Sequence, residues 1–313
     1  MASHSFMLPG GKRLRFENPE GLYPVNAYQS EIFAQAAVGV AYAMAAEQAG
    51  GLGALKAKEL CAGNGPAAIA LKAIGVGEVH ATDINPDARA ATQKNAALNG
   101  VTLKRIAGED IRGTVSGPRD YDLIAVNPPC ARAGVCPESA GAAVQRAVDG
   151  GAEGIDYFQH AVRFGYMQLK PGGRLVIGLT STMDIPAALA ALGQYFGADD
   201  CYAVSGTPHA APFAPLNPEA SGGIIGSRDR GAQEIRYAEE TGRSMAWDGG
   251  DGNAWRNTWF IVARKVADAN RLPSGKNMEL PLKPNGWPDN LMPENFRIAA
   301  QRLQAKLGEL GLG

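Results

Sequence analysis

From Lys56 onward, short apolar runs alternate with stretches of helical character, and this alternation restricts the fold more than any other feature. Strands are predicted over 58–61 and 78–82, and helices over 66–74 and 86–98. The second helix is well delimited, because Asn85 suits an N-cap, Pro86 the first helical position and Gly100 a C-terminal stop. Strands and helices that alternate in this way form a parallel sheet covered on both faces. The predicted fold is therefore α/β and doubly wound.

The same reading extends to both sides of this region. Further strands are predicted over 102–106, 121–126, 174–179 and, after a long interval, 257–265, with helices over 30–48, 155–169 and 294–307. Residues 1 to about 25 and residues 207–256 are rich in glycine and proline and are expected to be irregular. An irregular stretch as long as 207–256 is typical of a lid or a binding loop.

The composition excludes several classes of protein. The 313 residues include 30 Lys+Arg and 31 Asp+Glu, for a net charge of −1, and this balance disfavours a nucleic-acid partner. The four cysteines are scattered, so neither a disulfide framework nor a metal site is expected. Residues 1–5 do not have the charged start and apolar segment of a signal peptide, and no eighteen apolar residues run together, so neither a leader nor a membrane span is expected. We expect a cytoplasmic enzyme with a small-molecule acceptor and no membrane partner, and a homodimer is compatible with the sequence.

The first predicted strand runs into a glycine turn that opens a helix. Gly63 and Gly65 would let a ligand approach bare backbone there, and the helix presents unpaired N–H groups. Residues 63–68 formally fit the dinucleotide fingerprint G-x-G-x-x-A, with Asp83 near the distance of a ribose-binding acid. A dehydrogenase is disfavoured because Glu59 would repel a pyrophosphate, whereas it suits an ammonium group. An ammonium partner combined with a ribose partner indicates S-adenosylmethionine.

A rigid corner follows the strand predicted at 121–126. Its sequence is Asn127-Pro128-Pro129-Cys130, in which two prolines remove amide donors and fix an extended chain. The Asn127 side-chain oxygen and the Pro128 carbonyl could together accept both hydrogens of an amine or amide nitrogen. Its lone pair would then point away from them. This corner is therefore suited to orienting a nitrogen nucleophile.

Taken in order, these segments resemble class I S-adenosylmethionine-dependent methyltransferases over roughly residues 55–180. Residues 59–65 resemble their first motif, 81–88 the second, 108–111 the acidic adenine-binding motif, and 127–130 the N-P-P-Y/F motif of amino-group methyltransferases. Residues 149–156 further resemble a segment of the release-factor glutamine methyltransferases. The resemblance implies a Rossmann-like, mostly parallel seven-stranded sheet with an antiparallel last strand. It also implies cofactor contacts at Glu59, Cys61, Gly63, Gly65, Asp83, Ile84, Asp110 and Asn127, with Asn127 and Pro128 catalytic.

The chain departs from that family at two points. Cys130 replaces the usual aromatic residue of the fourth motif, which leaves room for a bulkier or aliphatic acceptor. The residues before Glu59 are too few for the separate N-terminal substrate domain of the release-factor enzymes. We therefore expect substrate identity to reside in the 207–256 insertion and after 265, with Tyr28, Cys130 and His209 as pocket candidates.

The resulting hypothesis has three parts of the chain in distinct roles. Residues 1–54 form an N-terminal segment with a cofactor-covering helix, 55–266 the methyltransferase domain with its lid insertion, and 267–313 a C-terminal extension. The predicted reaction is N-methylation of a small-molecule or amino-acid-like acceptor. Two alternatives stay open: cyclisation of S-adenosylmethionine to azetidine-2-carboxylate and methylthioadenosine, and N-methylation of a protein glutamine or of RNA.

Overall fold

A computed structural model of the chain describes residues 2–26, 29–115, 117–133, 141–197, 200–205, 211–215, 230–244, 246–248, 253–256 and 258–266. The strands are β1 (Ala2–Met7), β2 (Arg13–Asn18), β3 (Lys56–Leu60), β4 (Glu78–Thr82), β5 (Arg105–Ala107), β6 (Tyr121–Val126), β7 (Leu169–Thr180), β8 (Cys201–Ser205), β9 (Ala211–Pro215), β10 (Trp247–Asp248), β11 (Asn253–Arg256) and β12 (Thr258–Arg264). The α-helices are α1 (Ser30–Glu47), α2 (Pro66–Ala73), α3 (Pro86–Leu98), α4 (Gly141–Val148), α5 (Asp156–Gln168), α6 (Ile185–Gly193) and α7 (Arg230–Thr241), and a 3₁₀ helix spans Gly51–Ala54.

The predicted seven-stranded sheet is confirmed, with the strand order β5-β4-β3-β6-β7-β12-β8. Strands β3 to β7 pair in parallel, and β12 runs antiparallel between β7 and β8. The strand order reverses between β3 and β6, and open α/β sheets bind their ligands outside the carboxyl ends of the strands at such a point. The topology therefore directs attention to the loops that follow β3, β4 and β6.

Two hydrophobic clusters, one on each face, hold the sheet between helices. One cluster joins α1, α2 and the N-terminal segment to alternate residues of the central strands, and the other joins α5 and α6 to the remaining ones. Strand β6 is buried at every position, as expected for a strand covered on both sides. Among the described residues, no helix is long and apolar enough to cross a membrane.

The expectation that residues 1 to about 25 are irregular was wrong. They contain an antiparallel hairpin, β1 with β2, in which Leu14 and Phe16 alternate inward with exposed residues. The hairpin packs against α3, where the Asn95 and Asn99 side-chain amides each accept from a β2 backbone N–H and donate to its carbonyl. These amides substitute for a neighbouring strand, which glycine and proline content alone does not reveal.

The expectation of an irregular stretch over 207–256 was also wrong where the structure describes it. Strands β9, β10 and β11 form a small antiparallel sheet there, and α7 lies between them in the chain. Helices α4 and α6 and strand β8 were not predicted, and the strand expected at 102–106 is shorter and begins at Arg105. The helix predicted at 294–307 and the C-terminal extension lie outside the described residues.

Buried polar contacts hold α7 against the main domain. Arg132, two residues after the Asn-Pro-Pro-Cys corner, pairs with Glu234 of α7 at 2.8 Å, and both side chains are buried. The Arg132 guanidinium also stacks on the ring of Tyr237, whose hydroxyl donates to Glu153 at 2.6 Å. The insertion is thus attached directly beside the corner that follows β6.

Candidate functional site

One cavity opens at the carboxyl ends of β3, β4 and β6, and it brings together most of the predicted site residues. Those that line it are Glu59, Cys61, Gly63, Asp83, Ile84, Asp110, Asn127, Pro128 and Cys130. Gly65 is not among the lining residues, and Tyr28 and His209 lie outside the described residues. The sequence motifs, which are up to 71 positions apart, therefore converge on a single concave surface, as expected of a ligand site.

The turn after β3 has an unusual backbone. Cys61 has a φ of 52°, in the left-handed region that few side chains other than glycine adopt, and Gly63 follows with a φ of 53°. Nothing lies within 4 Å of the position where a Cβ would stand on Gly63, so its backbone borders open space. Gly65 has a different task, because a Cβ there would come within 2.7 Å of Thr92 on α3. It allows α2 and α3 to pack closely.

Glu59 is a buried carboxylate at the base of this turn. Its two oxygens accept hydrogen bonds from the backbone N–H groups of Ala67 (3.3 Å) and Ala68 (2.7 Å), in the first turn of α2. Burial raises the pKa of Glu59 to about 8, even though these N–H donors act to lower it. A cation in the cavity would favour the ionised form. This geometry is compatible with an ammonium partner, and the assignment of that role stays a prediction.

Asp83 is fixed by two backbone donors. Its Oδ2 accepts from the N–H of Gly63 and its Oδ1 from the N–H of Asn85, each at 2.8 Å. Each carboxylate oxygen has a further lone pair, so the group can still accept hydrogen bonds from ligand hydroxyls. The next residue, Ile84, is a large apolar side chain that is 54% exposed beside the same cavity. A hydroxyl acceptor next to an apolar surface suits a nucleoside.

The acidic segment at 108–111 presents two carboxylates in different settings. Asp110 forms a bidentate pair with Arg112, and this pairing lowers the pKa of Asp110. The Glu109 carboxylate forms an ion pair with Lys58 at 2.6 Å and accepts a hydrogen bond from the Thr82 hydroxyl at 2.9 Å. Both acids line the cavity, so the structure gives the predicted adenine contact of Asp110 a competing partner.

The Asn-Pro-Pro-Cys corner lines the same cavity. The Asn127 Oδ1 lies 3.3 Å from the Nε2 of Gln29, and it sits over the bare backbone of Gly178. Cys130 is buried, and its sulfur accepts from the Thr180 hydroxyl at 3.7 Å. The peptide between Gly150 and Gly154 packs on the backbone of Cys130, where a Cβ on Gly154 would come within 2.7 Å of the Cys130 carbonyl oxygen. The segment at 149–156 therefore supports the corner.

The cavity also contains residues that are not among the predicted site residues. Tyr23 and Gln29 reach it from the segment before α1, Arg146 from α4, and Arg256 from β11 of the insertion. The position of Gln29 just before a helix that packs on the sheet was the only local signal. Nothing in the sequence around Arg256 indicated that β11 would lie beside this cavity.

Together these residues fit S-adenosylmethionine. The pinned Asp83 carboxylate and exposed Ile84 match a nucleoside, the open backbone at Gly63 allows close approach, and buried Glu59 matches an ammonium group. When bound, the cofactor would supply an electrophilic methyl group. The described residues contain no cluster of three or more acidic, histidine or cysteine side chains that could hold a metal ion.

Comparisons with known proteins agree with this chemistry. A family model described as the methyltransferase small domain matches residues 31–204. A release factor glutamine methyltransferase of Deinococcus radiodurans is 37% identical over 122 residues, which is 37% of this chain and 42% of that relative. The chain thus aligns with less than half the length of that relative.

Two solved structures align with most of the chain at low sequence identity. The YcgJ protein of Bacillus subtilis is 14% identical, with a TM-score of 0.43, over 73% of this chain and 99% of that one. An RNA methyltransferase of Salinibacter ruber in complex with S-adenosylhomocysteine is 12% identical, with a TM-score of 0.39, over 80% of this chain and 99% of that one.

Proposed function

Because the chain belongs to the methyltransferase small domain family and uses S-adenosylmethionine as methyl donor, we propose that it methylates an amino or amide nitrogen of a small-molecule or amino-acid-like acceptor. The observation that carries this proposal is the place of Asn127. Asn127 and Pro128 line the same cavity as Glu59 and Asp83, the residues proposed to hold the cofactor. If the acceptor nitrogen is uncharged when it binds, no lysine, histidine or carboxylate is required beside it as a general base.

Asn127 and Pro128 would act by orientation. The Asn127 oxygen and the Pro128 carbonyl would accept the two hydrogens of the nitrogen, so that its lone pair points toward the methyl group. A well-aligned nucleophile about 3 Å from its target gains much of its acceleration from position alone. The same two oxygens would stabilise the positive charge that develops on the nitrogen during transfer.

Two observations bear on the acceptor. Arg256 brings a cation from the insertion into the cavity, which suits an acceptor that carries a carboxylate. Buried Cys130 stands where an aromatic residue would lie against a flat group, so a non-planar acceptor fits. We propose that an amino-acid-like amine satisfies both conditions.

A second candidate acceptor is a protein glutamine. The Deinococcus relative carries that activity in its name, and the match includes 37% identity over 122 residues. Since only 42% of that relative is aligned, the substrate does not transfer with the resemblance. A glutamine-containing peptide therefore belongs in the acceptor panel.

The first experiment incubates purified protein with S-adenosylmethionine alone and follows the products by mass spectrometry. Stable cofactor, with S-adenosylhomocysteine formed only after an amine, an amino acid or a glutamine peptide is added, is the expected result. Formation of methylthioadenosine together with an equimolar amount of a cyclic amino acid would instead show that the enzyme cyclises S-adenosylmethionine and does not transfer its methyl group.

The Asn127→Ala variant then tests the site itself. We expect its kcat to fall at least about 100-fold because the variant loses an orienting oxygen. S-adenosylhomocysteine binding should be retained, because the contacts proposed for Glu59, Asp83 and Ile84 remain. Asn99→Ala is the matched control, since that side chain contacts the hairpin and lies outside the cavity. Full activity of Asn127→Ala would refute the role given to this residue.

A further inference from the structure

Gln29 makes a direct hydrogen bond to the proposed nitrogen-orienting group. This residue precedes α1, is buried, and donates from its Nε2 to the Asn127 Oδ1 at 3.3 Å, across 98 positions of sequence. Its own carbonyl oxygen, Oε1, lies 3.2 Å from the Tyr23 hydroxyl. Both ends of the Gln29 amide are therefore hydrogen-bonded, and the orientation of this amide determines whether Asn127 faces a donor or an acceptor.

A chain of hydrogen bonds that begins at a backbone N–H supports one orientation of the Gln29 amide. The backbone N–H of Gln29 donates to the Asn26 Oδ1 at 2.9 Å, so the Asn26 Nδ2 faces the Tyr23 hydroxyl at 3.4 Å. The hydroxyl accepts there and keeps its own hydrogen for donation, and the Gln29 Oε1 lies 3.2 Å away as the acceptor. Burial raises the pKa of Tyr23, which keeps this hydrogen in place at neutral pH. In this network the NH₂ end of Gln29 faces Asn127.

Contact with β7 also restricts the position of the Asn127 side-chain amide. Its Oδ1 lies 2.5 Å from the position where a Cβ would stand on Gly178, so the oxygen rests on the backbone of β7. One lone pair of this oxygen accepts from Gln29, and the other remains for a hydrogen of the acceptor nitrogen. If the Asn127 amide were reversed, its NH₂ would meet the N–H of the acceptor, and two donors cannot bond.

We propose that Gln29 is a positioning residue that sets the polarity of Asn127 and so presents its oxygen to the acceptor nitrogen. This role rests on the proposed N-methylation. Gln29 does not contact the reacting atoms in this scheme; it acts through Asn127. The sequence motif that contains Asn127 does not include it, and its partner Tyr23 belongs to the same N-terminal segment.

The discriminating variant is Gln29→Glu, which keeps the shape of the side chain and removes its donor. The introduced carboxylate would accept from the Asn127 amide and turn its NH₂ inward, so that the oxygen no longer serves the acceptor. We expect kcat to fall at least about ten-fold, with a smaller change in KM and an unchanged affinity for S-adenosylhomocysteine. Gln29→Met, which cannot donate and accepts only weakly, should lose less, because it leaves the Asn127 amide free to adopt the productive orientation.

The pH dependence separates polarity from simple damage to the structure. As the pH falls and the introduced carboxyl becomes protonated, it regains a donor, so the ratio of variant to wild-type kcat should rise. Gln93→Glu on the exposed face of α3 is the matched control and should follow the wild type at every pH.

Two outcomes would overturn the inference. One is a wild-type kcat in Gln29→Glu; the other is a loss that equals that of Gln29→Met and keeps the same ratio at every pH. Both require a wild-type enzyme that methylates a nitrogen acceptor. If the wild type methylates none of the amines, amino acids or glutamine peptides, the proposed function fails instead, and the two failures are distinguishable.

Discussion

The replacement of Gly178 by alanine tests the Asn127 geometry from the opposite side. Gly178 lies in β7, directly under the Asn127 side chain, and its φ is not positive, so alanine fits the backbone without strain. The new Cβ, however, would stand 2.5 Å from the Asn127 Oδ1 and 3.3 Å from the Cε1 of Phe260. Real Cβ contacts are essentially never shorter than 3.0 Å, so something must shift.

The size of that shift gives the expected effect. Phe260 is fully buried, so the half-buried Asn127 side chain is the group that yields, and its oxygen must move by at least about 0.5 Å. Active groups need to be held within about 0.5 Å, and a displacement of about 1 Å can cost about 100-fold in rate. We therefore expect kcat to fall between about ten-fold and 100-fold, while cofactor affinity is retained.

The assay combines steady-state formation of S-adenosylhomocysteine with calorimetric binding of the same compound. Gly53→Ala is the control, because nothing lies within 4 Å of its Cβ position and its φ is not positive. Overpacking of Gly178→Ala is also expected to destabilise the fold by about 1–3 kcal/mol, so the assays belong well below its melting temperature. An unchanged kcat, or a loss of cofactor affinity as large as the loss of kcat, would refute the reasoning.

Two further predictions concern buried carboxylates. Burial raises the pKa of Glu59 to about 8, so between a pH of about 5 and 8 the folded state holds a proton that the unfolded state has released. The free energy of unfolding should therefore fall as the pH rises through this range, by up to roughly 1 kcal/mol per pH unit. Glu59→Gln should flatten this slope in urea titrations, and an identical slope would contradict the assignment. Glu234→Ala removes the carboxylate that pairs with buried Arg132 and should cost about 3–5 kcal/mol, whereas Glu239→Ala on the exposed face of α7 should cost little; equal losses in the two variants would argue against a structural role for the pair.

Local sequence was sufficient wherever a structural feature is encoded within one element and its flanking turns. The alternation that begins at Lys56 predicted the central parallel strands and their helices, and Asn85 caps α3 as expected, with its side chain accepting from the N–H of Asp87. Because the strands are parallel, their carboxyl ends must meet at one edge of the sheet. The convergence of Glu59, Asp83 and Asn127 on one cavity followed from that rule.

Turn-rich segments were where this reasoning failed. The N-terminal hairpin and the elements of the insertion contain the glycines and prolines of irregular chain, yet buried partners elsewhere stabilise them. Asn95 and Asn99 satisfy the edge of β2, and Glu234 joins α7 to Arg132. Propensity describes a segment by itself, and tertiary contacts override it when they supply the missing hydrogen bonds.

The sequence by itself determined the order of the elements, the edge of the sheet where ligands bind and the residue types gathered there. Only the tertiary structure decided which side chains from distant segments complete the site. Gln29 meets Asn127 across 98 residues, Gly178 lies beneath the same oxygen, and Arg256 arrives from the insertion. Periodicity and turn chemistry act within a few residues, whereas these contacts depend on how whole elements pack, so no local pattern could encode them.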